Sequence, residues 1–209
     1  MSLDLIMIFS LTVFITSIIP GPSMLLALTH GMQYGAKKTV ISALGSVTAT
    51  FLQALTSAVG LGALLMASET AFEAIKWFGA GYLVYMGVAL LRASRKPVVD
   101  RVKSELIEQT FPMKMYFQSF FVTAGNPKAI IFFGAVFPQF IDSNMPIIPQ
   151  SMILVSICSL SAFCCFMAYG IGGQKASFLF SQNAIGVYIK RIIGSTFIGS
   201  GVALALSGK

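Results

Sequence analysis

The sequence predicts an all-α membrane protein: six transmembrane helices forming two inverted three-helix repeats, with helices 1 and 4 broken. Three observations carry this. Of 209 residues, 56% are hydrophobic and only 10% charged, with mean hydropathy +0.84, against about 25% charged residues in a soluble domain. Several apolar stretches reach the roughly 20 residues a spanning helix needs, and no alternating barrel pattern competes with them. Two of these stretches are interrupted by Pro and Gly in matching positions of the two halves, a pattern that points to a transporter binding site.

The first span runs from about Leu3 to Thr29. Met1 to Asp4 offers no Lys or Arg for a cleaved leader, so the run is read as a retained span. Pro20-Gly21-Pro22-Ser23 interrupts it. In hydrocarbon every backbone N–H and C=O needs a protein partner, so such a break survives only where it is buried or lines a wet cavity. Pro22 and Ser23 can open a second helical segment, because Pro tolerates the first turn and Ser caps well.

A loop with Gly31, Gly35, Lys37 and Lys38 follows. His30 at its edge is either a proton carrier or a packed or solvated interfacial side chain. The second span, about Thr39 to Met66, is rich in small residues such as Ser42, Gly45, Ser46, Ala49, Gly60 and Gly62, which let membrane helices approach closely. After an acidic loop with Glu69 and Glu73 comes the third span, about Ala74 to Leu91. There Lys76, Trp77 and Tyr82 read as interfacial anchors, with Lys76 snorkelling.

Residues 92–114 are the most polar part of the chain and read as a cytoplasmic loop. Val98, Val102 and Leu106 recur every four residues, which suits either a surface amphipathic helix or a solvated linker. The fourth span, about Tyr116 to Phe137, contains the second break, Gly125-Asn126-Pro127-Lys128. The fifth runs about Ser151 to Gly172 and the sixth about Ile192 to Leu206. Lys and Arg collect in loops one, three and five, while Glu69, Glu73 and Asp142 fall in loops two and four, which places both termini on the outer side. The net charge of +7 therefore reports topology and not nucleic-acid binding.

The whole chain, 1–209, reads as a single transmembrane domain: repeat one 1–91, loop 92–114, repeat two 115–209. Pro22 matches Pro127 at an offset of 105, and Gly60-Leu61-Gly62 matches Gly170-Ile171-Gly172 at 110. Lys76 with Gly87-Val88-Ala89-Leu90 matches Lys190 with Gly201-Val202-Ala203-Leu204 at 114. Short loop insertions produce such a drift.

A broken helix leaves unpaired N–H groups and the positive end of a dipole inside the protein, a ready site for a carboxylate. The candidate substrate-binding residues are therefore Pro20, Gly21, Pro22, Ser23, Gly125, Asn126, Pro127 and Lys128, with Ser23 and Asn126 expected as caps. Carbonyls around Ile19, Pro20 and Gly125 would receive an ammonium group, so a zwitterionic amino acid fits both needs. Lys128 is the one charge placed deep in an apolar run, where ionisable groups default to function. It is a second candidate proton carrier, the alternative being that it snorkels or pairs locally. No Asp or Glu lies deep in any span, so ion coupling has no usual carboxylate relay.

Pro20-Gly21-Pro22-Ser23 resembles the PGP(N/S) signature of the LysE/RhtB family of amino-acid exporters (LysE-type translocators). Trp77-Phe78-Gly79-Ala80-Gly81-Tyr82-Leu83-Val84-Tyr85-Met86-Gly87 is similar to its KxxGAxYLxYLG segment. Asn126-Pro127-Lys128-Ala129, with Phe132-Phe133 and Pro138-Gln139-Phe140, resembles its NPKxxxFFxxxxPQF segment. The resemblance implies a bacterial inner-membrane secondary transporter, driven by the proton gradient, that exports small amino acids or derivatives of the homoserine, threonine, leucine or cysteine type. Thr39 and Ala49 stand where glycine is expected, and Ser23 where Asn is common.

The competing reading is a non-transport membrane protein, a thiol-redox relay or a scaffold subunit. Cys158, Cys164 and Cys165 form no CxxC pair and no metal-ligand spacing, which favours structural filler. No metal site, cofactor or enzyme activity is expected. The partners expected are the amino-acid substrate, the bilayer and a second copy of the chain.

Overall fold

The computed structural model describes residues 1–59, 69–94, 112–142, 144–180 and 185–206, and among them there is no strand. The helices are α1 (Leu3–Ile18), α2 (Pro22–Ala58), α3 (Glu69–Ser94), α4 (Pro112–Ala124), α5 (Pro127–Ile131), α6 (Ile147–Phe180) and α7 (Ile185–Leu206). A π-helical turn, Phe132–Val136, and a 3-10 turn, Phe137–Phe140, continue α5. Pro138 supplies no N–H to a regular ladder, which accounts for the altered winding around it. Among the described residues, Pro22–Ala58 and Ile147–Ser177 are long and apolar enough to cross a membrane. Pro112–Ala124 and Pro127–Phe140, bent by 52° at their break, form a third such span if taken together.

The loop expected over residues 31–38 shrinks to a single residue. Gly35 alone leaves helical geometry, at φ 78° and ψ 162°, a region open to glycine and strained for side-chain-bearing residues. His30 and Ser42 would lie about 18 Å apart along a straight helix, yet their side chains are 2.6 Å apart. The two arms of α2, residues 22–34 and 36–58, thus fold back on each other at Gly35. Gln174 of α6 secures the turn by accepting from the Ala36 N–H at 2.5 Å.

Other expectations shift less. α3 begins at Glu69 and α6 runs from Ile147 to Phe180, both longer than the apolar runs that predicted them. Lys76 does not snorkel: it is buried and ion-paired with Glu73, which also accepts from the Trp77 indole at 2.7 Å. Gly60-Leu61-Gly62, the 98–106 segment and the Lys190 side chain lie outside the described residues.

Glycines set the close contacts, as interfaces without a hydrophobic drive require. A Cβ on Gly31 or Gly173 of the α2–α6 interface would run into the Gly170 or Leu28 carbonyl, and one on Gly45 into that of Tyr116 on α4. Between α3 and α7, a Cβ on Gly87 would lie 2.6 Å from the Gly194 carbonyl oxygen, and one on Gly201 would lie 2.8 Å from that of Ala80. An aromatic core joins α1 to the second break: Phe9 is fully buried, with ring centroids 4.9 Å from Phe140 and 5.8 Å from Phe137.

These contacts predict that Gly35→Ala loses about 1–2 kcal/mol from backbone strain, and that Gly31→Ala lowers the thermal midpoint further because the Gly170 carbonyl must move. Gly172→Ala, where a Cβ meets nothing within 4 Å, should melt with the wild type in detergent micelles.

Candidate functional site

Both breaks converge on one place. Between α1 and α2 the chain turns through Ile19, Pro20 and Gly21, and Gly21 occupies the position that begins α2. Between α4 and α5, Asn126 caps α5, its side-chain oxygen accepting from the Lys128 N–H at 3.1 Å. The Asn126 amide then donates across the gap to the Ser23 hydroxyl at 3.0 Å. Ser23 is therefore a cross-link between the breaks and not a helix cap: α2 has no side-chain cap bond.

The carbonyls freed at the end of α1 are taken by side chains from elsewhere. The Lys128 ammonium donates to the Ile19 carbonyl at 2.8 Å, and the Tyr169 hydroxyl of α6 to that of Ile18 at 2.8 Å. A cation suits the negative end of the α1 dipole. The ammonium expected to receive a ligand thus rests on a carbonyl expected to receive one. At the other break, Gln53 donates to the Ala124 carbonyl at 3.3 Å.

A cavity of about 70 Å³ opens at this junction. Its polar wall holds Thr16, Ser17, Ser23, Ser46, Thr50, Thr123, Asn126 and Lys128. The apolar wall includes Val13, Met24, Phe132, Phe133, Cys158 and Ala162. Of the residues singled out by sequence, Ser23, Asn126 and Lys128 line it. Pro22 is buried beside it, and Gly21 lies close enough that a Cβ there would sit 3.6 Å from the Lys128 ammonium nitrogen. Gly125 instead packs on α3, where its Cβ would meet Gly79 at 2.9 Å. Pro20 is exposed and Pro127 half-buried, and neither lines the cavity.

His30 is packed and not solvated. It is 2% exposed, its ring bonded to Ser42 on one side and to Gln118 at 3.3 Å on the other. It lines a second cavity of about 630 Å³ with Tyr34, Tyr82, Tyr85, Phe117 and Phe121. Fully buried Leu26, Leu83 and Val122 pack in one cluster, and Leu26 also lines this cavity. The hydroxyl wall escaped the sequence reading, which took Ser42 and Ser46 as small packing residues. Their spacing was the available signal: Ser42, Ser46 and Thr50 repeat every four residues on one face of α2, as do Ser119 and Thr123 on α4.

The sequence matches the profile of the LysE type translocators over residues 14–208. A homoserine/homoserine lactone efflux protein of Salmonella typhimurium is 33% identical over 147 residues, 70% of this chain and 69% of that protein. An uncharacterized membrane protein of Vibrio cholerae is 29% identical over 198 residues, 94% of each chain. One of Bacillus subtilis is 28% identical over 195 residues, 91% of this chain and 93% of that protein. No solved structure matches the chain.

Truncating Asn126→Ala removes both the cap and the cross-link, with an expected loss of about 1–3 kcal/mol. Asn126→Ser, which keeps a capping oxygen but cannot span to Ser23, should fall between it and the wild type in thermal unfolding in micelles.

Proposed function

The chain belongs to the LysE type translocator family, whose members are transporters and not enzymes, and from that premise we propose that it exports small neutral amino acids. The observation that carries this is the convergence of Ser23, Asn126 and Lys128 from two helix breaks on one cavity. The substrate carboxylate binds the Lys128 ammonium and the exposed amides at the start of α2. As Lys128 turns to it, the Ile19 carbonyl is released to the substrate ammonium.

Size and lining narrow the substrate. A cavity of about 70 Å³ holds only a handful of water-sized groups, and six hydroxyl side chains face it. Among the homoserine, threonine, leucine and cysteine types, hydroxylated side chains fit this wall best. The efflux relatives named for homoserine and its lactone support the same class. A basic side chain is disfavoured, because Lys128 repels it and neither cavity is lined by Asp or Glu.

The proposal extends to architecture. Six spans form two inverted repeats in the bacterial inner membrane, both termini periplasmic, and the proton gradient drives export. The reciprocal contacts of Gly87 with Gly194 and of Gly201 with Ala80 support the repeat, because the offset of 114 maps each pair onto the other. Gly81 and Gly199, with nothing within 4 Å of a Cβ, leave open helix faces that suit a homodimer.

Expression in an exporter-deficient host is expected to raise tolerance to a toxic analogue of homoserine or threonine and to lower the intracellular pool of the parent amino acid. Lys128→Ala should abolish both effects with the protein still present in the membrane, and Lys128→Arg should retain part. Wild-type efflux in Lys128→Ala would remove the proposed site.

A further inference from the structure

Buried polar side chains on α2 and α4 stand between residues of the two cavities, in two hydrogen-bonded groups. On the side of the wider cavity stands His30, bonded through Nδ1 to Ser42 at 2.6 Å and through Nε2 to Gln118 at 3.3 Å. On the side of the junction stand Ser46 and Thr123, whose hydroxyls are 2.9 Å apart and line the smaller cavity beside Asn126 and Lys128. Ser42 and Ser46 are successive turns of one α2 face, a gap of about 5–6 Å between Cβ atoms. Ser119 lies one turn from Thr123 on α4; it is 0% exposed and its hydroxyl has no hydrogen-bond partner.

Leucines and valines would pack this interface at no polar cost, so a run of hydroxyls ending in a histidine requires a reason. Every buried polar group should be paired, and the orphan Ser119 hydroxyl, one turn from Thr123, offers a donor and an acceptor to a bridging water. A histidine can take a proton at one ring nitrogen and release one from the other, and here the two nitrogens have different partners, Ser42 and Gln118.

We propose that these side chains carry the coupled proton between the Lys128 ammonium and the wider cavity, with His30 as its terminal relay. The inference rests on the transport reading above and supplies the step that the missing carboxylates left open. Lys128 gives up one proton and becomes a neutral amine. Water and the Thr123, Ser46 and Ser42 hydroxyls each take a proton and pass one on, so none gains net charge. His30 Nδ1 accepts from Ser42, and its Nε2 proton breaks its bond to the Gln118 side-chain oxygen and leaves to water in the wider cavity, which Gln118 also lines. The reverse order moves a proton inward to Lys128. Tyr34, Tyr82, Tyr85 and Lys114 also face the cavity around His30, while Cys165 and Tyr169 of α6 stand near Lys128. None of them joins the two ends. Neutral Lys128 releases its carboxylate or the Ile19 carbonyl, which ties the proton to the substrate.

Ser42 lines neither cavity and so separates the route from the binding site. In proteoliposomes loaded with labelled homoserine, threonine and leucine, two modes are compared: counterflow exchange at equal pH, and net transport driven by an imposed pH gradient. Ser42→Ala and Ser119→Ala are expected to keep counterflow within about twofold of wild type while gradient-driven transport falls at least tenfold. Ser42→Thr should restore it, and His30→Gln should abolish it. As the chain has one histidine, a ¹⁵N-imidazole spectrum shows directly whether Ser42→Ala breaks the Nδ1 contact. Full gradient-driven transport in both Ser42→Ala and His30→Gln overturns the route. Loss of counterflow in Ser42→Ala would instead make Ser42 structural and overturn it equally. Counterflow that survives Lys128→Ala would sink the binding site, a separate outcome.

Discussion

The rest of the structure depends on one requirement of the bilayer: backbone groups opened by a helix break must be closed again by the protein. The Ile18 and Ile19 carbonyls are closed by Tyr169 and Lys128, the Ala124 carbonyl by Gln53, and the Lys128 N–H by Asn126. Each of these side chains except Asn126 comes from a different helix than the group it satisfies. Closing the breaks therefore fixes the mutual position of α1, α2, α4, α5 and α6. The same bonds bring Ser23, Asn126 and Lys128 to one cavity, so the stability of the fold and the chemistry of the site share residues.

That sharing explains the arrangement of Lys128. A half-buried ammonium in an apolar run still needs a partner, and the negative end of α1 offers one with no acidic residue required. A carbonyl is a neutral partner, so an incoming carboxylate can compete for the ammonium where a protein carboxylate could not be displaced as easily. On the proposed reading, a zwitterionic substrate would exchange the Lys128–Ile19 bond at both ends.

The glycines play a complementary part. Gly31, Gly45, Gly87 and Gly201 bring backbones together without side chains between them, which leaves the interhelical space to serines and threonines. Close approach is what lets Ser46 reach Thr123 and Asn126 reach Ser23. Of these glycines, Gly45 lies in the α2–α4 interface that holds Ser46 and Thr123, so a bulky residue there would push those hydroxyls apart.

From sequence alone, composition determined the helical membrane class, and the Pro–Gly breaks located Ser23, Asn126 and Lys128. Both follow from local rules: hydrocarbon admits only internally bonded backbone, and proline and glycine interrupt it wherever they stand. Tertiary structure alone decided the rest. It made Gly35 a reversal between two helical arms, turned Ser23 from a cap into a cross-link, and moved Gly125 away from the cavity onto Gly79. It also buried His30 against Ser42. Those outcomes depend on which residue lies opposite across a helix interface, and spacing along one chain cannot encode a partner that folding brings from dozens of residues away.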